Sequence, residues 1–132
     1  MSSIFTSIVN GEIPCYKIAE TADYLAFLDA KPQVKGHTLC IPKKEVDYIF
    51  DLDDPLLAGL IVFSKKVAKA IEQVVPCKRI GVAVIGLEVA HAHIHLVPMK
   101  TQSDLTFNKP PLELSAAGMK ALADVIGSKV EL

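Results

Sequence analysis

The spacing of apolar residues along the chain predicts three helices. Residues 4–9 carry apolar side chains at helical intervals and end at an Asn-Gly pair, a typical helix-end signal. Residues 55–75 keep the helical period from an acidic Asp-Asp-Pro start until Pro76 ends it. A last helix is predicted within residues 112–128, with Ser115 as its cap. The predicted buried faces comprise Leu57, Leu60, Ile61, Ser64, Val67, Ala68, Ile71 and Val75 in the long helix and Met119, Leu122, Val125 and Ile126 in the last.

Five further segments have the composition of strands. They are residues 15–19, 24–29, 37–41, 80–87 and 91–97, and single Gly or Pro residues separate several of them. The fourth is apolar throughout, which indicates a buried strand. Connections of hairpin length favour antiparallel pairing, so the order of elements predicts an α+β fold, with one antiparallel sheet and segregated helices in a single domain.

Composition excludes several classes of protein. The 132 residues are the length of one domain, and 51% hydrophobic residues are enough for a core. Fourteen basic against fifteen acidic side chains produce no overall positive field, so no nucleic-acid partner is expected. The longest apolar run, residues 56–63, is too short for a membrane span, and neither a signal-peptide core nor a disulfide framework is present. We therefore expect a cytoplasmic protein.

The chemistry-bearing residues are histidines. His91, His93 and His95 alternate with apolar residues, and side chains of a strand point alternately to its two faces. These three imidazoles are therefore expected on one face, and the apolar residues between them on the other. His37 lies on a different predicted strand and could come alongside.

Three interpretations of this row stay open on the residues alone. Buried structural histidines would each need hydrogen-bond partners on an apolar sheet face. A metal site could use two neighbouring histidines of the row with His37, but residues four apart on a strand are separated by about 13.6 Å, too far to share one ion easily. Nucleophilic and acid–base catalysis would use neutral imidazole, a good nucleophile near neutral pH.

The motif itself resembles a known family. Residues 91–97, read as His-φ-His-φ-His-φ-φ with φ hydrophobic, are similar to the signature of the histidine triad family of nucleotide hydrolases and transferases. Further segments resemble the family in its order, and together they extend over residues 3–98. These segments are residues 4–8, 11–14, 25–29, 32–33 and 36–44.

The resemblance implies a fold and an assembly. It implies a five-stranded antiparallel sheet with a long helix, in a core of about residues 3–100, followed by a C-terminal extension. It also implies a homodimer through the long helix and an edge strand. No cofactor is implied.

The resemblance implies a nucleotide hydrolase as well. By motif position His93 would attack the α-phosphate of a purine nucleotide and form a transient nucleotidyl-histidine. His95 would donate a hydrogen bond to the phosphate or leaving group, while His91 and His37 hold protons and ring orientation. The substrate would be a nucleoside phosphoramidate or a dinucleoside polyphosphate, with release of a nucleoside monophosphate.

The same resemblance assigns a nucleotide pocket. Asp29 would accept hydrogen bonds from the ribose hydroxyls, and four apolar residues would enclose the base. Ordinary core packing is the competing interpretation of the apolar residues, and a turn position that of Asp29. The four apolar residues are Phe5, Ile8, Ile13 and Phe27.

Two departures from the family pattern affect these expectations. Residues 84–89 lack the amide side chains that many members carry, and Glu88 stands where a hydroxyl residue would contact the phosphate. Because a carboxylate repels a phosphate, a nucleotide-binding module with little turnover remains the alternative function.

The second departure concerns zinc. Zinc-binding members carry Cys-x-x-Cys, a later His and the first His of the triad. This chain has Ser3, Thr6 and Glu45 at the first three positions and keeps only His91. We therefore expect no metal site.

Overall fold

A five-stranded antiparallel sheet and three helices form the described part of the chain, residues 2–132 of a computed structural model. The strands are β1 (Lys17–Glu20), β2 (Tyr24–Leu28), β3 (Thr38–Pro42), β4 (Arg79–Ala83) and β5 (Ile94–Met99). The helices are α1 (Ile4–Val9), α2 (Asp54–Val74) and α3 (Ala116–Gly127), with short 3₁₀ turns at Ile49–Asp51 and Gln102–Leu105. The α+β architecture predicted from the sequence is confirmed.

The strand order places the last histidine in the middle of the sheet. The order is β1-β2-β3-β5-β4, and every neighbouring pair is antiparallel. His95 on β5 is paired with Leu39 on one side and with Ala83 on the other. Strands β1 and β4 form the two edges.

One face of the sheet is covered by α2 and α3. Each helix begins at a side-chain cap, since Asp53 accepts a hydrogen bond from the Leu56 N–H at 2.8 Å and Ser115 accepts one from the Gly118 N–H at 3.0 Å. The apolar residues between the histidines lie on this face, as their alternation predicts. The strand and loop residues buried here include Ala26, Leu28, Cys40, Ala92, Ile94 and Leu96.

The opposite face carries α1 and a smaller apolar cluster. Phe5 of α1 packs there with Leu25 and Phe27 of β2 and with Leu39 and Ile41 of β3. Alternation along the strands separates this cluster from the larger core. His95 of β5 lies on this second face. His91 and His93 were expected on the same strand, but they precede β5 and pack against Phe5 on that side.

The structure corrects the extent of the fourth strand. Residues 80–87 were expected to form a buried strand, but β4 ends at Ala83 and Leu87 is 88% exposed. The partner of β4 is β5, and the chain that precedes β5 turns away from β4. There the Ala92 N–H donates to the Val46 carbonyl at 2.7 Å instead. Without a ladder partner, the residues after Ala83 leave the sheet.

Two positions on the predicted buried helix faces are exposed instead. On α2, Ile61 is 51% exposed while Phe63 is buried, and on α3, Val125 is 47% exposed while Ala123 is buried. The buried side of each helix is the side that packs on the sheet and on the neighbouring helix, and the helical period alone does not determine it. Within residues 2–132, no helix combines the length and apolar character needed to cross a membrane.

Candidate active site

A cleft of about 730 Å³ opens on the face that carries α1. Its volume is in the range of small-molecule sites. Its walls come from α1, from β2 and the residues that follow it, from residues 85–89, and from the end of the histidine row. His37, His93 and His95 all line it.

The tautomer of His93 follows from one contact. Its Nδ1 lies 2.7 Å from the main-chain oxygen of His91. A carbonyl oxygen only accepts, so Nδ1 carries a proton and Nε2 is the nitrogen with a free lone pair when the ring is neutral. Phe5 packs edge-on against the ring, with centroids 5.1 Å apart. His93 therefore lines the cleft with a defined nucleophilic nitrogen.

A second chain of hydrogen bonds sets the protons of His37 and His95. The Gln33 backbone N–H donates to His37 Nδ1 at 3.1 Å, which leaves the proton of that ring on Nε2. His37 Nε2 lies 3.0 Å from His95 Nδ1 and donates to it. His95 consequently carries its own proton on Nε2. The row thus places an acceptor nitrogen on His93 beside a donor on His95, with ring centroids 4.9 Å apart.

Burial favours the neutral form of His37 and His95. It lowers the pKa of His95 to about 3, with further lowering from His93 and His37. Burial also lowers the pKa of His37, against an opposing effect of Asp29. A donor N–H on His95 is available near pH 7 without a positive charge on the ring.

His91 lies behind the cleft and does not line it. Its Nε2 donates to the Pro42 carbonyl at 2.7 Å, and its Nδ1 accepts from the Ser3 hydroxyl at 2.8 Å. Burial lowers the pKa of this ring as well. Both ring nitrogens are therefore held by hydrogen bonds, and the main-chain oxygen of His91 accepts from His93, which lines the cleft.

Three residues come close enough to suggest a metal site. Ligand atoms of Asp29, His37 and His95 lie within 4.8 Å of one another. The hydrogen bonds argue against a shared ion, because His37 Nε2 is protonated and donates to His95 Nδ1. A ring nitrogen binds metal through its lone pair, and the lone pair of His37 is on Nδ1, facing the Gln33 N–H.

Three of the four apolar residues assigned to the base lie in the cleft. Phe5 and Phe27 meet edge-on with centroids 5.5 Å apart, and Ile8 completes this wall. Ile13 is 37% exposed and does not line the cleft, whereas the next residue, Pro14, does. The turn after α1 explains the difference, since the chain folds back so that the Ile13 N–H donates to the Ser7 carbonyl at 3.3 Å.

The two acidic residues expected at the pocket both line it. Asp29 is half-buried, with Oδ1 accepting the Lys31 N–H at 2.9 Å and Oδ2 3.6 Å from His37 Nε2. Glu88 is exposed and lines the cleft from residues 85–89, next to Leu87. Two carboxylates from different segments of the chain therefore line the cleft.

Phe107 is a wall of the cleft that the sequence did not reveal. Its ring centroid lies 4.7 Å from that of His95 and 5.6 Å from that of His37. Its φ of 57° is left-handed, an uncommon and costly conformation for an aromatic residue. Gln33 holds this segment by donating to the Lys109 carbonyl at 3.1 Å and accepting its N–H at 3.3 Å. In the sequence, the one sign of this wall was that an aromatic residue stands in an otherwise polar loop.

Comparison with known proteins identifies the family. The HIT domain model matches residues 10–102. Adenosine 5'-monophosphoramidase hnt1 of Schizosaccharomyces pombe is 40% identical, over 99% of this chain and 100% of its own. Adenosine 5'-monophosphoramidase HNT1 of Saccharomyces cerevisiae is 34% identical, over 75% and 63%.

Solved structures agree with this match. A Hit-like protein of Bartonella henselae, described as involved in cell-cycle regulation, superposes with a TM-score of 0.84 at 28% identity, over 98% of this chain and 96% of that one. A zinc-bound histidine triad family protein of Mycobacterium smegmatis superposes with a TM-score of 0.82 at 26% identity, over 97% and 94%. The chain belongs to the HIT domain family, which confirms the family predicted from the histidine motif.

Proposed function

We propose that this protein hydrolyses a purine nucleotide at its α-phosphate through a nucleotidyl-His93 intermediate and releases a nucleoside monophosphate. The chain is an enzyme of the HIT family, and two of its relatives are adenosine 5'-monophosphoramidases. One observation carries the proposal: the hydrogen bond from His93 Nδ1 to the His91 carbonyl, which leaves Nε2 unprotonated in the cleft.

In the first step His93 Nε2 forms a bond to the α-phosphorus as the bond to the leaving group breaks. His95 donates a hydrogen bond from its Nε2–H to the departing atom, and this atom takes its proton from a solvent water. The nucleotidyl imidazole on His93 is then cationic, which makes His93 a good leaving group in the next step. His37 keeps the His95 ring oriented through the bond at Nδ1.

In the second step water attacks the same phosphorus. One proton of this water passes to solvent and replaces the proton that the leaving group took, the bond to His93 Nε2 breaks, and the nucleoside monophosphate leaves. Overall the hydroxyl of one water molecule ends on phosphorus and its proton on the leaving group. A covalent intermediate divides one difficult displacement into two easier ones.

The walls of the cleft supply the nucleotide contacts. Phe5, Ile8 and Phe27 offer an apolar surface for a purine ring. Asp29 offers carboxylate oxygens to the ribose hydroxyls, a pairing that suits a diol better than a phosphate. The substrate class that we propose is a nucleoside phosphoramidate or a dinucleoside polyphosphate, attacked without a cofactor.

A fluorogenic assay tests this proposal. The protein is mixed with an AMP phosphoramidate that carries a fluorescent amine, and release is followed for wild type and His93→Ala. Release far above the buffer rate that is lost in His93→Ala supports the hydrolase. Equal release by both proteins contradicts it.

A nucleotide-binding module with little turnover is the second candidate. Glu88 favours it, because a carboxylate at the rim of the cleft opposes the approach of a phosphate. Saturable binding of AMP without release of the fluorescent amine would establish the module. Recovery of turnover in Glu88→Ser would assign the loss to this carboxylate.

We also propose a homodimer. Ile61 and Val62 on α2, and Val82 on the edge strand β4, are each at least half exposed, and Leu87 is 88% exposed. An open strand edge beside exposed apolar residues suits a second copy of the chain. Sedimentation should give twice the 14.3 kDa chain mass, with dissociation in Val82→Asp. A monomer at all concentrations contradicts the dimer.

The cysteines support the expected cytoplasmic location. Cys15, Cys40 and Cys77 are free thiols. Proteins of reducing compartments keep their thiols in this form.

A further inference from the structure

We propose that Glu45 is a positioning residue for the reaction: with Ser3 it fastens α1 and the His91 ring in the arrangement that the nucleophile His93 needs. This inference rests on the proposed function and extends it to a residue outside the cleft. Glu45, Ser3 and Thr6 are joined by hydrogen bonds.

The Glu45 carboxylate connects two groups of the first turn of α1. Its Oε1 accepts the Ser3 backbone N–H at 2.5 Å and the Thr6 hydroxyl at 2.6 Å. These bonds lower the pKa of Glu45, the one from the Ser3 backbone most strongly. Hydrogen bonds to an ionised carboxylate are among the stronger ones in proteins.

Ser3 passes this connection on to His91. Its hydroxyl accepts the Thr6 N–H at 3.1 Å, as the cap of α1, and donates to His91 Nδ1 at 2.8 Å. Since the other ring nitrogen donates to the Pro42 carbonyl, the ring has one tautomer that satisfies both nitrogens. In the described part of the chain, no buried side-chain nitrogen or oxygen lacks a partner.

Two contacts join this network to the nucleophile. The main-chain oxygen of His91 accepts the Nδ1 proton of His93, so movement of residue 91 changes the direction of His93 Nε2. Phe5 packs edge-on against both rings, with centroids 5.8 Å from His91 and 5.1 Å from His93. Because a helix as short as α1 is not stable alone, its anchors decide how firmly Phe5 is held.

The central experiment compares Glu45→Ala with Glu45→Gln. The Ala variant loses the acceptor, and the Gln variant keeps a neutral one. We expect kcat/KM to fall about tenfold in Glu45→Ala and to recover largely in Glu45→Gln, as for partners that orient a catalytic ring. Asp47→Ala removes an exposed carboxylate two residues away and is expected to match wild type.

A spectroscopic measurement separates positioning from a general loss of stability. The ¹⁵N chemical shifts of His91 report its tautomer, with Nε2 protonated and Nδ1 accepting in wild type. Ser3→Ala and Glu45→Ala are both expected to move these shifts. Because the two residues act along one connection, the double variant should lose no more kcat/KM than the more damaging single variant.

The outcomes that overturn the proposal are distinct from failure of the proposed function. A kcat/KM within about twofold of wild type in Glu45→Ala overturns it, and so does lost activity with unchanged His91 shifts. If wild type shows no turnover, the shifts still decide, since they need no substrate. If Glu45→Ala does not fold, Ser3→Ala and Glu45→Gln supply the same comparison.

Discussion

His37 and His95 are joined by a hydrogen bond, with Nε2 of His37 3.0 Å from Nδ1 of His95. His37 immediately precedes β3, His95 lies on β5, and 58 residues of sequence separate them. Because His37 Nδ1 is occupied by the Gln33 N–H, this bond leaves His95 with its proton on Nε2. The proton pattern of the proposed active site therefore depends on a contact between β5 and the segment that leads into β3.

The role proposed for His93 predicts a separation of binding from turnover. His93→Ala is expected to abolish hydrolysis and to keep AMP affinity within about tenfold, or about 1.4 kcal/mol, because the apolar wall and Asp29 lie on other segments. Calorimetry with AMP and the fluorogenic assay check both parts. Quenching of wild type under alkaline denaturing conditions should trap nucleotide on His93 through a base-stable, acid-labile N–P bond, and label on His91 or His95 would reassign the nucleophile.

The hydrogen-bond chain predicts graded losses at its members. His95→Ala removes a hydrogen-bond donor to the departing atom, which costs on the order of 10²–10⁴ in rate. His37→Ala removes only the group that orients His95, so we expect a smaller loss together with some destabilisation of the sheet. Rates of both variants, measured with thermal melting as the control for folding, test this order. A greater loss in His37→Ala contradicts it.

Buried neutral histidines predict a loss of stability in acid. Burial lowers the pKa of His37, His91 and His95, the last to about 3, so the unfolded chain binds more protons than the folded one below about pH 6.5. His95 then costs up to about 1.4 kcal/mol for each pH unit between about 6.5 and 3, and contributes nothing above that range. Urea unfolding at pH 7.5, 6.5 and 5.5 measures the trend. A smaller slope is expected in His95→Gln, and an equal slope in both proteins refutes the assignment.

Phe107 is expected to shield His95 from water. Phe107→Ala should raise the pKa of His95 toward its ordinary value, because burial is the main cause of its lowering. NMR titration of the His95 ring checks the direction, with Phe50→Ala as an exposed aromatic control at 72% exposure. Phe107→Gly should be more stable than Phe107→Ala by about 0.5–1 kcal/mol, because glycine accepts a φ of 57° without strain.

The hydrogen bonds around His91 predict how much zinc the protein binds. Wild type is expected to hold well under one zinc per chain. The combined change Ser3→Cys, Thr6→Cys and Glu45→His should create a site with His91, because the hydroxyls of Ser3 and Thr6 already lie 2.8 and 3.4 Å from His91 Nδ1. Metal analysis after dialysis measures both proteins. A full equivalent of zinc in wild type, or none in the triple variant, contradicts this geometry.

The sequence by itself determined the features that depend on neighbours along the chain. Alternation predicted His91, His93 and His95 on one side and the apolar residues between them on the other, and this holds although β5 begins only at Ile94. Asp53 and Ser115 marked the beginnings of α2 and α3, since a capping side chain bonds to a backbone N–H three residues away. The motif also led to the family and the α+β fold.

Only the tertiary structure decided features that depend on distant segments. Leu87 is exposed because the partner strand turns away from it, and Phe107 reaches His95 because Gln33 holds the loop that carries it. The position of the proton on His95 belongs to the same class. It depends on the group that faces His95 Nδ1, and this group is Nε2 of His37, 58 residues away along the chain.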